Sequence, residues 1–418
     1  MASRVLVIGP VFTQQEVGGL QLAIKDVAGQ LAALGWSVEV CINEENGTEA
    51  SGGLQSNTTR SRLSALSRWR GLFRLWHRLP AAWRRAIYTP FKPRDYFQRA
   101  SDNLHAMDRR LATLRATDIV LYFVDESAPG STDLVLSRCD TPVIVSLGGL
   151  AEEFQARWWH LVRLLCRLRF GGDLHPSLFR PARPAQVRLA VFASQGWRAQ
   201  ALRAGLPPGR AEIIYFGVDC APGVRQRDGT GTKILWLGRL VPSKGLHLLL
   251  EALTEIRAEI GEVSVTAIAG QGQSEYRQGI EETIARHGLA DVVTLAPPMP
   301  RESLATLYAT HDLLFFYSQY TDPVALAMME AFAAGLPVMA SRPGAYAALV
   351  KDEDTCLCFD PDDTHSIATT AIRLLRDCGL RDRLARNART LIANDFSLDA
   401  MGRRYDELLR DRLCGEGP

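Results

Sequence analysis

Short, nearly unbroken apolar runs alternate along the chain with longer stretches whose apolar residues recur at helical spacing. The runs lie at residues 4–9, 37–42, 118–123, 142–147 and 187–193, and the pattern starts again at 232. Continuous apolar runs of this length are typical of parallel strands that are buried on both faces. Strands that alternate with helices in this way predict βαβ units. The pattern therefore predicts an α/β protein with two doubly wound sheets.

The length of the chain also favours two domains. Its 418 residues exceed what one hydrophobic core usually supports, and 47% of them are apolar, which is ample for two cores. The stretch from Gly217 to Gly231 contains Gly and Pro and lacks a periodic apolar pattern, so we expect a hinge there. The predicted domains are residues 1–216 and 217–395.

A basic motif follows the apolar run from Ile234 to Leu237. This motif, GRLVPSKG, places Arg239 and Lys244 at the carboxyl end of the predicted strand. Open α/β sheets bind their ligands at that end of the strands. Two cations there favour an anionic ligand, although a solvated basic turn would also explain them.

A second motif, DPVALAMMEAFAAGLPV, runs from Asp322 to Val338. Asp322 is a favoured N-cap and proline a favoured first helical residue, so we predict a helix over Val324 to Ala334 whose first amides could bind a phosphate. Glu330 is the only charge inside this helix, about 12 Å along its axis from Asp322. A buried carboxylate is costly unless a polar group meets it. The two carboxylates could bind the ends of an elongated molecule such as a nucleotide sugar, or Asp322 could only cap the helix.

At these residues the chain resembles the retaining glycosyltransferases of the GT-B fold, in particular their family 4 (group 1) branch. Other segments that carry the resemblance follow in the family's usual order, namely RVLVIGPVFTQQEVGGLQLAIKDVAGQLAALGWSVEV, IIYFGVD, ILWLGRLVPSKG and AIAGQGQ. The resemblance covers nearly the whole chain. It implies two Rossmann-like doubly wound domains that face each other across a cleft, with the C-terminal helix, residues 396–418, packed back on the first domain.

The resemblance also implies roles for individual residues. Arg239 and Lys244 would bind the donor diphosphate, Glu330 would bind the ribose hydroxyls, and Gly18 and Gly19 would let the N-terminal loop approach the donor. The other implied substrate contacts are Asp322, Val324 and Ala325. Asp322 joins the two cations as an expected catalytic residue. Because Asp-Pro-Val-Ala stands where the family usually has Glu-Pro-Phe-Gly, the identity of the donor sugar stays open.

The first domain departs from the family pattern. Many relatives carry an active-site histidine on a loop after a parallel strand, and neither corresponding loop here contains one. Asp125 and Glu126 come just after the predicted strand 119–123, and Gly148 follows the strand 143–147. Asp125, Glu126 or Gly148 could contact the sugar or the acceptor instead.

The net charge is only +2, but the basic residues are unevenly distributed. Asp95 is the only acid between Arg60 and Arg99, and residues 157–170 form a second basic and aromatic stretch. Within the first segment, tryptophan recurs every seven residues at Trp69, Trp76 and Trp83. Basic helices with tryptophan are typical of anionic membrane surfaces. Tryptophans packed in the core under solvated arginines are an alternative, and the near-neutral charge disfavours a nucleic-acid surface.

The remaining features narrow the class of protein. The cysteines show no recognisable metal or redox spacing apart from Cys356 and Cys358, which we interpret as buried thiols in a strand. The sequence shows neither a secretory signal nor an apolar run long enough to span a bilayer, so we expect a cytoplasmic protein. Backbone near Pro298 and Met299 is expected to contact the nucleotide base.

Together these observations predict a retaining glycosyltransferase. It would move a sugar from a UDP- or GDP-sugar to a hydroxyl of a glycan or lipid-linked acceptor, in cell-surface polysaccharide or glycoconjugate biosynthesis. We expect no metal or other cofactor, no nucleic acid, and attachment of residues 60–99 to the inner face of the membrane. The alternatives are a nucleotide-sugar epimerase and a non-catalytic relative that binds a membrane or a partner protein.

Overall fold

The computed structural model describes most of the chain, in segments. They are residues 4–9, 19–42, 94–115, 117–124, 130–147, 164–165, 167–169, 174–180, 182–220, 232–270, 272–318, 325–342 and 347–414. The chain divides into two compact units. One comprises Met1–Ala28, Gly35–Phe192 and Trp197–Glu212, and the other Gly29–Leu34, Ala193–Gly196 and Ile213–Pro418. The predicted boundary after residue 216 and the predicted return of residues 396–418 to the first domain stay predictions.

The first sheet has the strand order β2-β1-β3-β4-β5-β6. Its strands are β1 (Arg4–Gly9), β2 (Ser37–Ile42), β3 (Ile119–Phe123), β4 (Val143–Leu147), β5 (Leu189–Phe192) and β6 (Ala211–Ile213). The pairings from β2 across to β5 are parallel. The longer α-helices described in this half of the chain are α1 (Gly19–Ala33), α2 (Arg94–Leu111), α3 (Ser131–Arg138) and α4 (Gln195–Arg203).

The second sheet has the order β12-β11-β10-β7-β8-β9, and its strands pair in parallel. Its strands are β7 (Lys233–Arg239), β8 (Ser264–Gly270), β9 (Val293–Ala296), β10 (Leu313–Phe316), β11 (Val338–Ser341) and β12 (Leu357–Phe359). The helices are α5 (Leu246–Ile260), α6 (Ser274–Arg286), α7 (Arg301–Thr310), α8 (Leu326–Ala333), α9 (Thr364–Arg376), α10 (Cys378–Asp395) and α11 (Leu398–Cys414).

The apolar runs form strands, as predicted, and the inner strands are buried, whereas Val40 of the edge strand β2 is 39% exposed. Every residue of β3 and of β10 is buried, because helices cover both faces of such a sheet. In the second sheet, β7 contributes the fully buried Trp236 to a core that also includes the apolar faces of α5 and α9. The predicted α/β fold with two doubly wound sheets is confirmed.

The helix predicted over Val324 to Ala334 begins later than expected. Ala325 is the N-cap of α8, with φ −80° and ψ 52°, and no side chain caps this helix. The Met329 amide makes the first helical hydrogen bond, to the Ala325 carbonyl at 2.9 Å. The prediction that Asp322 caps this helix is therefore wrong. Asp322 itself lies outside the described residues, so its predicted separation from Glu330 stays a prediction. Capping preferences identify residues that can start a helix, whereas the non-helical backbone of Ala325 sets where α8 starts.

Two smaller predictions can be compared with the structure. Cys356 is a buried free thiol, as predicted, whereas Cys358 is only half-buried. At the predicted hinge, Val218 forms a β-bridge with Ser397, just before α11. Residues 221–231 of that stretch lie outside the described residues.

Candidate functional site

The candidate site lies where the strand order of the second sheet changes direction. β7 and β10 are neighbours, but the chain continues from β7 towards β9 on one side and from β10 towards β12 on the other. The connections after β7 and β10 therefore diverge at their carboxyl ends. Ligands of open α/β sheets bind at such a point. Arg239 ends β7, and Tyr317 directly follows β10.

Both predicted cations lie on the short connection between β7 and α5. Arg239 is exposed, and Lys244 is the last residue of a 3-10 turn, Pro242–Lys244. The Val241 amide donates to the Arg239 carbonyl at 2.8 Å, and the Gly245 amide donates to Pro242 at 3.0 Å. These bonds close the turn, so both basic residues belong to one ordered segment. The predicted pairing of Arg239 and Lys244 on one connection agrees with this geometry, and their role in binding stays a prediction.

Gly245 allows this connection to pack closely against β10. Its φ is +68°, in the left-handed region that favours glycine. A Cβ at this position would lie 2.4 Å from Cδ1 of Tyr317 and 2.7 Å from its Cγ. The glycine that ends GRLVPSKG is therefore required both by the backbone and by the neighbouring ring.

A buried indole holds the backbone of Lys244. The Trp236 side chain is only 1% exposed, and its Nε1–H donates to the Lys244 carbonyl at 2.9 Å. A buried tryptophan usually needs such a partner. Trp236 thus links the strand interior to the basic turn.

A half-buried pair, His247 and Tyr276, lies at the start of α5. The Tyr276 hydroxyl, from α6, accepts from the His247 amide at 3.2 Å and lies 2.8 Å from Nδ1 of His247. Burial raises the pKa of Tyr276 to about 12 and lowers the pKa of His247. The phenol of Tyr276 is therefore protonated and the imidazole of His247 neutral near pH 7. The hydroxyl donates to Nδ1 while it accepts from the His247 amide. Tyr276 therefore satisfies an amide in the first turn of α5, which begins two residues after Lys244.

Glu330 lies on α8 among buried apolar residues, as the sequence predicted. Its side chain is 14% exposed. One carboxylate oxygen accepts from Nε of Arg301 at 2.7 Å, and the other accepts from the hydroxyl of Tyr308 at 2.9 Å. The polar group that its burial requires is therefore supplied by α7, and the predicted contact with ribose stays a prediction.

The structure leaves several predicted residues without a described environment. Those outside the described residues are Gly18, Asp125, Glu126, Gly148, Asp322 and Val324. Gly19 is the first residue of α1, and Ala325 is buried at the start of α8. Pro298 and Met299 lie on the exposed connection between β9 and α7, with the Met299 side chain 37% exposed. In the described part of the chain, no three His, Cys, Asp or Glu residues are grouped as metal ligands.

Sequence reasoning missed most of the residues that hold this site together. Arg301, Tyr308 and Tyr276 reach their partners from separate helices, and nothing in the local sequence marks them. Trp236 gave a usable signal, because an indole inside an apolar strand predicts a hydrogen-bond acceptor close by.

Comparison with known proteins assigns part of the chain to a family. The family "Glycosyl transferases group 1" matches residues 222–391, which include the basic turn and all of α8. This part of the chain belongs to that family.

Individual relatives agree with this assignment. The chain is 29% identical over 190 residues to an alpha-D-kanosaminyltransferase of Streptomyces kanamyceticus, covering 45% of this chain and 48% of the relative. It is 27% identical over 289 residues to a GDP-mannose-dependent alpha-(1-6)-phosphatidylinositol monomannoside mannosyltransferase of Mycolicibacterium smegmatis, covering 64% and 73%. The chain spans about half the length of the first curated relatives that it matches.

A solved structure shares the fold over almost the whole chain. Anabaena Alr3699/HepE in complex with UDP and glucose aligns with a TM-score of 0.62 and 16% identity, over 98% of this chain and all of that one. At this identity the likeness concerns the fold alone, and it supports the GT-B architecture.

Proposed function

We propose that the protein is a retaining glycosyltransferase that moves a sugar from a nucleoside diphosphate to a hydroxyl group of its acceptor. The observation that carries this proposal is the pair Arg239 and Lys244 on one closed turn at the switch point of the second sheet. Cations on a fixed backbone suit a diphosphate, because charge builds up on it as it leaves. The glycosyltransferase family of residues 222–391 supports the same chemistry.

The reaction breaks the bond between the anomeric carbon of the sugar and the diphosphate oxygen. The electron pair of that bond leaves with the diphosphate, whose growing charge Arg239, Lys244 and the first amides of α8 stabilise. The acceptor hydroxyl then attacks the anomeric carbon from the face that the diphosphate leaves, which retains the configuration. The departing diphosphate takes the hydroxyl proton. On this proposal the reaction requires neither a protein nucleophile nor a metal ion.

The proposal includes both UDP-sugars and GDP-sugars as donors. The relative from Mycolicibacterium smegmatis is named for GDP-mannose, whereas the Anabaena structure contains UDP and glucose. The first of these names also includes a phosphatidylinositol mannoside, which is a lipid-linked sugar. We infer a glycan or lipid-linked acceptor for this protein and a role in making cell-surface polysaccharide or a glycoconjugate.

Attachment to an anionic membrane surface is also part of the proposal. Residues 60–93 lie outside the described residues, but part of the second basic stretch is helical. Leu164 and Leu168 there are 54% and 76% exposed, four residues apart, beside the exposed Arg167. Exposed leucines next to arginine suit the headgroup region of a bilayer. Among the described helices, none has the length and apolar character to cross a membrane. We therefore propose a peripheral protein on the inner face of the cell membrane.

A ligand panel tests the proposed activity. Purified protein is screened by thermal shift against UDP, GDP and their sugars, and each stabilising donor is then incubated with and without a cell-envelope glycolipid extract. The proposal predicts stabilisation by a nucleoside diphosphate and donor-dependent labelling of the extract. A new nucleotide sugar formed without any acceptor would instead indicate an epimerase, and binding without turnover would indicate the non-catalytic alternative.

Sedimentation with vesicles tests the membrane contact separately. The first variant replaces Arg70, Arg74, Arg78, Arg84 and Arg85 with glutamine, and the second replaces both exposed leucines with serine. Each should reduce binding to anionic vesicles, and raised salt should weaken binding of the wild type because it shortens the Debye length. Wild-type protein that stays in the supernatant at low salt would refute the membrane contact and leave the transferase proposal standing.

A further inference from the structure

The carboxylate of Glu330 is held by two donors from a neighbouring helix. Arg301 donates from Nε to one oxygen at 2.7 Å, and Tyr308 donates to the other at 2.9 Å. Arg301 is the first residue of α7, and Tyr308 lies two turns further along the same helix. The same face of α7 therefore supplies both contacts.

Both donors are suited to hold an ionised carboxylate. The guanidinium of Arg301 is always charged and donates at a fixed angle. Tyr308 is only 4% exposed, and burial raises its pKa well above 10, so the hydroxyl keeps the proton that it donates. Each oxygen of Glu330 thus has one defined donor, and rotation of the carboxylate would break both bonds.

The remaining hydrogen-bonding capacity of Glu330 matches a ribose. An ionised carboxylate offers about four lone-pair sites, two on each oxygen. Arg301 and Tyr308 use one on each oxygen, which leaves one on each. The 2′ and 3′ hydroxyls of a ribose are two adjacent donors, and a carboxylate whose oxygens each keep one acceptor can receive both.

We propose that Arg301 and Tyr308 are positioning residues that orient Glu330 to select a ribonucleotide. This inference rests on the proposed function, which supplies the nucleotide. It extends that function to two residues on α7 that act through Glu330 and need not touch the substrate. An ion pair that only joined α7 to α8 would not require a second donor on the other oxygen of Glu330. The additional contact from Tyr308 therefore favours a role in orienting the carboxylate.

The test measures preference for ribose rather than affinity alone. Isothermal titration of the full chain with UDP and GDP, and with their 2′,3′-dideoxy analogues, gives the ratio of dideoxy to ribo dissociation constants. The variants are Arg301→Gln, Tyr308→Phe and Glu330→Gln. The control is Arg376→Gln, which breaks a pair with Glu259 of the same 2.7 Å length on the exposed surface.

The inference predicts that the wild type prefers the ribonucleotide and that Glu330→Gln abolishes the preference. Arg301→Gln and Tyr308→Phe should each reduce the ratio about tenfold, because each removes a hydrogen bond to a charged group. Arg376→Gln should leave it unchanged. A merely structural role would lower the melting temperature and weaken ribo and dideoxy ligands equally.

The outcomes separate this inference from the proposed function. The inference would be overturned if the ratio of dideoxy to ribo dissociation constants in Arg301→Gln and Tyr308→Phe equalled that of the wild type, or rose because Glu330 is released. A wild type that still prefers the ribonucleotide would in that case uphold the donor site. A wild type that binds neither UDP nor GDP would overturn both. If Tyr308→Phe does not fold, Arg301→Gln decides alone, since the Arg301 side chain is 29% exposed and its loss leaves no large cavity.

Discussion

Replacing Gly245 with alanine should destabilise the basic turn, because both its backbone conformation and its packing favour glycine. At φ +68° an alanine is strained by about 1–2 kcal/mol. Its Cβ would also lie 2.4 Å from Tyr317, so the ring or the turn must shift. Overpacking of this kind typically costs about 1–3 kcal/mol more. We therefore expect Gly245→Ala to lower the free energy of unfolding by about 2–5 kcal/mol and to weaken binding of UDP or GDP, because Lys244 is the adjacent residue.

Gly335 supplies the matched control. Its φ is +72°, and a Cβ there would meet nothing within 4 Å. Gly335→Ala should thus cost only about 1–2 kcal/mol and leave nucleotide binding unchanged. Urea unfolding followed by circular dichroism, together with titration of UDP and GDP, measures both quantities. Replacing Tyr317 with serine in the Gly245→Ala protein should recover part of the loss. Equal destabilisation by the two alanines would refute the account of a turn packed against Tyr317.

Two further predictions concern the groups around the same turn. Trp236→Phe removes the donor to the Lys244 carbonyl, so affinity for UDP or GDP should fall about three- to tenfold while affinity for the free nucleoside stays the same; an equal loss for both ligands would contradict this. Because burial lowers the pKa of His247 from 6.5, the unfolded chain binds more protons just below that value, and the free energy of unfolding should fall as the pH drops below about 6.5. His247→Asn should make the free energy of unfolding less dependent on pH in that range. Burial also lowers the pKa of His175, so His175→Asn should remove a second, independent part of the same pH dependence.

Local patterns sufficed for the strands and for the basic turn. The apolar runs at 4–9 and 37–42 match β1 and β2 residue for residue, because short runs of apolar residues between helical patterns are typical of strands. The fixed spacing of Arg239 and Lys244 placed both on one connection, since only a few residues separate a strand end from the next helix in such units. These features depend on contacts that are near in sequence.

The contacts that shape the site depend on distant residues, and the sequence did not reveal them. Arg301 and Tyr308 lie 29 and 22 positions from Glu330, so no local pattern connects them. The predicted start of α8 was wrong for a related reason. Asp-Pro is a good start signal, but the backbone at Ala325 is non-helical, and the helix begins one residue later.

Nucleotide release from donor sugars tests the central claim most directly. Release of UDP or GDP from the sugar donor that stabilises the protein best is measured for the wild type, Arg239→Ala, Lys244→Ala and the surface control Arg376→Gln. Each of the first two variants removes a cation from the leaving diphosphate, so we expect kcat/KM to fall about a hundredfold or more, with the control unchanged. Release within twofold of wild type in both variants would contradict the assignment of this turn to the donor diphosphate.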